Sequence, residues 1–184
     1  MPRNGIAKRV QKVQIHPNSG LVTEEIVYIG IGSNLADPLE QVKQAIKHLQ
    51  GLKQSSFLNS SSLYVSQPMG PEDQPDYINA AVSLSTRLPP LALLDQLQGI
   101  EANHGRVRNG QRWGPRTLDL DVLIYGENII NSERLVIPHP GLHERAFVLY
   151  PLHEINPELI IPGRASLAEL IEHCPLGGLE KIIA

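Results

Sequence analysis

Cysteine occurs once in these 184 residues, at Cys174, so no internal disulfide framework holds the chain, and its usage fits a reducing, cytoplasmic compartment. Aromatic residues make up only 4%. No apolar run approaches the roughly 20 residues needed to span a bilayer, which argues against a membrane protein. There is no basic excess either. Lysine and arginine number 16 against 19 acidic residues, for a net charge of −3. A general nucleic-acid binder normally shows the opposite balance. The phosphate-loop pattern G-x-x-x-x-G-K-[ST] is missing, as is the protein-kinase signature set.

What is present reads as one globular domain. Apolar residues at 41% and charged residues at 19% suit a packed core. Residues 1–24 are mixed and weakly basic and lack the apolar centre of a secretory signal. They are read as a loosely ordered extension in preference to a regulatory or targeting arm. Residues 25–184 form the domain. EIVYIGIGSN begins as a buried strand and ends in turn residues. DPLEQVKQAIKHLQG follows as a helix, with Asp37 as N-cap, Pro38 in the first turn and Gly51 at the stop. SFLNSSSLYVSQP reads as a second strand and YINAAVSLSTRL as a third. PPLALLDQLQGIEANHG is a second helix, RVRNGQRWGPR a basic loop, and TLDLDVLIYG a fourth strand. A helical stretch near residues 145–152 and a short helix, SLAELIEHC, follow. The order β-α-β-β-α-β is that of an α+β ferredoxin-like sandwich, here with C-terminal additions.

The chemistry concentrates in RWGPRTLDLDVLIYG. Side chains alternate along a strand, so Asp119 and Asp121 share one face, while Leu118, Leu120 and Val122 point to the core. Two carboxylates at this spacing repel unless a cation sits between them or one is protonated. Hard divalent ions, Mg²⁺ above all, take a few carboxylate oxygens together with substrate phosphates. The plainer alternative is a polar strand face paired with Arg112 and Arg116. Arg106, Arg108, Arg112 and Arg116 lie within eleven residues and offer planar forks that suit phosphate oxygens. Gly105, Gly110 and Gly114 give their loop the freedom expected of a lid. GIGSN is a weak anion-binding signal, more often a plain strand-to-helix turn.

Residues 112–121, RWGPRTLDLD, resemble the signature of the 6-hydroxymethyl-7,8-dihydropterin pyrophosphokinase family of folate biosynthesis. The likeness runs from about residue 26 to 171 and includes GSN at 32–34, GPEDQPDYINAA at 70–81, RVR at 106–108 and IPHP at 137–140. It implies transfer of diphosphate from ATP to the pterin hydroxymethyl oxygen, with release of AMP. It further implies that Asp119 and Asp121 hold two Mg²⁺ ions on the triphosphate, and that Arg106 and Arg116 are catalytic phosphate contacts. Gln98, Glu101, Arg108, Trp113, Arg134, His139 and Arg145 match ATP-side positions. Ser66, Pro68, Met69, Tyr77, Asn79, Trp113 and Phe147 match the pterin pocket, with Tyr77 and Phe147 stacking and Asn79 reading the ring edge. Asn109 and Pro140 stand where some relatives carry lysine and tyrosine. The expected partners are the two small substrates, with no nucleic acid or membrane, and the expected state is a monomer.

Two rivals come from other classes. A Mg²⁺-dependent nucleotidyltransferase also combines a Gly-Ser turn with Asp-x-Asp, but the two usually lie close in sequence. A non-enzymatic ferredoxin-like RNA-binding module would want an aromatic-rich central strand and a basic surface.

Overall fold

A computed structural model describes residues 23–70, 73–106 and 114–183. Strand β1 (Glu25–Ser33) alternates strictly: Val27, Ile29 and Ile31 are buried in one core, and Tyr28, Gly30 and Gly32 face the other way. Helix α1 (Pro38–Gln50) starts on Asp37, whose Oδ1 accepts the Glu40 N–H at 3.4 Å, and buries Val42, Ala45 and Leu49. Strands β2 (Ser55–Ser60), β3 (Tyr64–Ser66) and β4 (Tyr77–Thr86) follow. Helix α2 (Pro90–Asn103) then buries Leu93, Leu97 and Glu101, one position per turn, before β5 (Asp119–Tyr125). The chain ends with β6 (Ile130–Asn131), β7 (Val136–Ile137), a 3₁₀ turn (Leu142–Glu144), α3 (Ala146–Ile155), α4 (Leu167–Glu172) and β8 (Glu180–Lys181).

The main sheet runs β5-β1-β4-β3-β8, with β2 pairing the remainder of β4 on the β3 side, and every pairing is antiparallel. With β2 and β3 counted as one interrupted strand, this is the ferredoxin-like order 4-1-3-2. The helices α1 and α2 close one core, built on Ile29, Leu84, Leu97 and Leu120. The helices α3 and α4 close a second, built on Tyr28, Leu123, Leu149 and Leu167. The additions therefore turn a two-layer sandwich into three layers.

One difference from the sequence reading is informative. The second strand, expected across SFLNSSSLYVSQP, is broken at residues 61–63. Ser61 Oγ accepts the Ala81 N–H (2.9 Å), and Ser62 donates its N–H and Oγ–H to Glu154 of α3 (3.1 and 2.8 Å). Serine side chains offer bonds that compete with a regular ladder, and here they win. Tyr64 and Lys181 also donate to Glu154, which so ties α3 to β3 and β8. The expected extension, residues 1–24, lies outside the described residues up to position 22; Glu24 is already paired with Arg87 at 3.2 Å.

Candidate active site

The open ground lies on the α3 face of the sheet. Register puts Gly30 opposite both Asp121 and Ala81, and Gly32 opposite both Asp119 and Asn79. The row across β5, β1 and β4 thus reads acid, glycine, small or amide. Glycine matters here because of close approach: a Cβ at Gly30 would stand 3.3 Å from the Leu123 side chain, and one at Gly32 would stand 3.5 Å from Asn79 Oδ1. Where β1 presents these glycines, an open cavity remains between the sheet and the start of α3. Ser66, Met69, Tyr77, Asn79, Arg145 and Phe147 line it, with Arg116, Asp119, Asp121 and His139 at one end. Asn79 is buried and donates Nδ2–H to Ser66 Oγ (2.9 Å), which fixes its amide. The Arg145 guanidinium lies 6.0 Å from the Phe147 ring centre.

A second cleft opens around the β5 edge. Gln98, Glu101, Arg106, Arg134 and Pro140 line it, and it shares Asp119, Asp121 and His139 with the first. The two aspartates thus stand at the junction of both spaces. Asp119 accepts from Arg106 and, at 2.7 Å, from Arg116 Nη1. Arg106 also donates to Glu101 Oε1 at 2.5 Å and to the Leu118 carbonyl at 3.1 Å. Glu101 is only 2% exposed and accepts the Leu120 N–H (2.8 Å). It lines the cleft as a fixed anchor for Arg106 and for the start of β5. Near-total burial of a carboxylate is tolerable only with such partners.

The two aspartates are shifted in opposite directions. Burial raises the Asp119 carboxyl, but the Arg106 and Arg116 guanidiniums outweigh it and hold the acid below its ordinary value. At Asp121, burial and then the charges of Asp119 and Glu101 push the acid upward. His139 Nε2 lies 3.8 Å from Asp121 Oδ2. Burial, then the Arg145 charge, lowers His139 to about 4, so the imidazole is neutral at pH 7. Two carboxylates on one strand face suit a divalent cation such as Mg²⁺. Among the described residues no group of three or more His, Cys, Asp or Glu forms a metal cage.

Most residues picked from the sequence thus fall around one junction. Pro68 lies between the lining residues Ser66 and Met69, though not itself in the wall. Arg134 lines the cleft but pairs at the surface with Asp95. Arg108, Arg112, Trp113 and Asn109 lie outside the described residues. GIGSN works differently from an anion cradle: Ser33 Oγ donates to the Thr117 carbonyl (2.6 Å), and Asn34 bonds the Arg116 backbone. The sequence reading missed Gly30 and Gly32 as pocket floor; their alternation with Ile29 and Ile31 was the available signal.

Comparison with known proteins identifies the family. Residues 28–157 match the family model described as 7,8-dihydro-6-hydroxymethylpterin-pyrophosphokinase. The chain is 47% identical over 156 residues to the 2-amino-4-hydroxy-6-hydroxymethyldihydropteridine pyrophosphokinase of Pseudomonas aeruginosa, covering 85% of this chain and 96% of that one. It is 50% identical over 145 residues to the protein of the same name from Haemophilus influenzae, covering 79% and 90%. Among solved structures, the wild-type Plasmodium falciparum HPPK-DHPS crystallised with pterin and p-hydroxybenzoate superposes with a TM-score of 0.65 at 15% identity. That match covers 84% of this chain and 44% of the longer one, and speaks for the fold alone. With the signature on β5, the junction of two cavities and these relatives in agreement, the chain belongs to the 7,8-dihydro-6-hydroxymethylpterin-pyrophosphokinase family.

Proposed function

We propose a division of labour for the reaction of this enzyme, the ATP-dependent transfer of diphosphate to 6-hydroxymethyl-7,8-dihydropterin in folate biosynthesis. The observation that carries it is the placement of Asp119 and Asp121 at the only wall shared by the two described cavities. The sheet-face pocket takes the pterin. Tyr77 and Phe147 supply ring faces, Asn79 reads the polar edge, and Ser66, Pro68 and Met69 border the ring. The β5-edge cleft takes ATP, with Gln98, Arg134 and His139 beside the nucleotide and Arg145 at the phosphate end. Arg108 and Trp113 complete the two sites from the basic loop.

Asp119 and Asp121 would hold two Mg²⁺ ions, which would neutralise the triphosphate and favour attack at its β-phosphorus. Arg106 and Arg116, now on Asp119, exchange that partner for phosphate oxygens and stabilise the transferred group. The exchange is feasible because Glu101 keeps a carboxylate on Arg106 throughout. His139, neutral, donates a hydrogen bond without adding charge. The hydroxymethyl oxygen loses its proton to solvent and gains a bond to the β-phosphorus, while the bond from that phosphorus to the α-bridging oxygen breaks and AMP leaves. Catalysis rests on positioning and charge rather than on a strong base. The working unit is a cytoplasmic monomer, one domain over residues 25–184; among the described residues no helix is long and apolar enough to cross a membrane.

The test is product analysis with Mg²⁺, ATP and 6-hydroxymethyl-7,8-dihydropterin, with a control lacking the pterin. Pterin-dependent AMP and a pterin diphosphate are expected. ADP would mean single phosphoryl transfer, pyrophosphate would mean nucleotidyl transfer, and no turnover by folded protein would remove the reading altogether.

A further inference from the structure

Asn34 follows β1 directly and is 1% exposed. Its amide is engaged on both sides. Oδ1 accepts the Arg116 N–H at 2.8 Å, and Nδ2 donates to the Pro75 carbonyl at 3.1 Å and to Gln74 Oε1 at 3.4 Å. The Asn34 backbone N–H completes a ring by donating to the Arg116 carbonyl at 3.1 Å. These partners fix the amide orientation, because only its oxygen can accept an N–H and only its nitrogen can donate to a carbonyl. Gln74 and Pro75 belong to the segment entering β4 at Tyr77; Arg116 belongs to the segment entering β5 at Asp119. A second tie joins the same two segments, the Tyr77 hydroxyl donating to the Gly114 carbonyl at 3.3 Å. Ser33, the neighbour on β1, bonds Thr117 alone of the two segments. One buried amide thus holds the segment leading into the pocket residue Tyr77 and the backbone of Arg116 together.

We infer that Asn34 is a positioning residue that couples the pterin-side segment to Arg116. The inference rests on the reading of Arg116 as a phosphate contact. A helix or strand cannot supply this link, since the two segments arrive from different crossovers and share no ladder. A side chain with one donor arm and one acceptor arm, anchored on the central strand between them, can. Serine is too short to span both. Aspartate retains the acceptor for the Arg116 N–H but loses the donor to Pro75. That asymmetry separates the two arms.

The experiment is steady-state kinetics and thermal unfolding on Asn34→Ala, Asn34→Asp, Arg116→Ala and the double variant Asn34→Ala/Arg116→Ala. Asn34→Ala should lower kcat about ten-fold or more and raise the pterin KM several-fold, as expected when a reacting group is displaced by a fraction of an ångström. Asn34→Asp should hold kcat within about three-fold while raising the pterin KM as the alanine does, because only the pterin-side arm is cut. The double variant should have a kcat within about two-fold of Arg116→Ala alone, since residues acting through one group are not additive. A double variant slower by the full Asn34→Ala factor overturns the coupling while leaving Arg116 in place. A normal kcat for Arg116→Ala overturns the role of Arg116 itself, and the coupling with it. If Asn34→Ala does not fold, Asn34→Asp decides: an unchanged pterin KM overturns the inference.

Discussion

The sheet-face pocket and the β5-edge cleft share three residues, yet they are built from different materials. The pocket is floored by ladder positions, Gly30, Gly32, Asn79 and Ala81, whose relative heights are set by strand register. Its key amide is buried and already bonded to Ser66. The cleft is walled by long side chains, and its Arg134 is half exposed and held by an equally exposed Asp95. A pair like that contributes about 0–1 kcal/mol and can let go readily. The comparison teaches that recognition of a flat ring is preformed in backbone, whereas charge handling is stored in ion pairs that can be exchanged.

The largest effects should come from the shared wall. Asp119→Ala and Asp121→Ala should each lower kcat by about 10³-fold or more, the loss of several kcal/mol of charge stabilisation. They should part company in stability. Asp121→Asn removes a carboxylate crowded by Asp119 and Glu101, so its Tm should match or exceed that of the unchanged protein. Asp119→Ala removes the carboxylate that Arg106 and Arg116 share and should lower Tm. Near-normal activity in either alanine variant would dissolve the metal assignment.

Next come substitutions that separate the two spaces. Arg116→Ala should slow turnover about 10²–10³-fold with pterin affinity largely kept, the usual loss for one preorganised donor. Weaker pterin binding with normal turnover would make it a pterin contact instead. Asn79→Ala should weaken pterin binding about 10–100-fold, as when a buried partner is deleted, with ATP affinity unchanged by calorimetry. Gln98→Ala should raise the ATP KM only about 2–10-fold, the range of one ordinary hydrogen bond. An equal effect on both substrates in either variant would merge the two regions.

The smallest effect on activity should come from Glu154, remote from both. Partial burial raises its carboxyl, but bonds from Lys181, Tyr64 and Ser62 outweigh that and hold it at about 2, below the ordinary 4.5. A depressed folded-state value means the stabilisation is present above pH 4.5 and is lost as pH falls toward 2. Glu154→Gln should therefore lower Tm at pH 7 and flatten its decline in acid, with kcat unchanged. A parallel acid profile would show that the clamp adds nothing.

Much of this was legible in the chain. Asp37 and Pro38 start α1 where capping rules put them, and the Asp-x-Asp alternation sets both acids on one face with Leu120 and Val122 on the other. The broken second strand was not legible, because it depends on Glu154 reaching Ser62 across 92 positions. The role of GIGSN was missed for the same reason: its serine and asparagine are bonded 84 and 82 residues away.

By itself the sequence determined the underlying β-α-β-β-α-β order, the start of α1 and the shared face of Asp119 and Asp121. These follow from periods of two and 3.6 residues and from contacts within one turn, which any reader of the chain can count. Only the tertiary structure decided that Glu101 anchors Arg106, that Gly30 and Gly32 clear a floor beneath Phe147, and that Asn34 bridges two segments. Each depends on sheet register and crossover packing, which bring together groups that no local spacing relates.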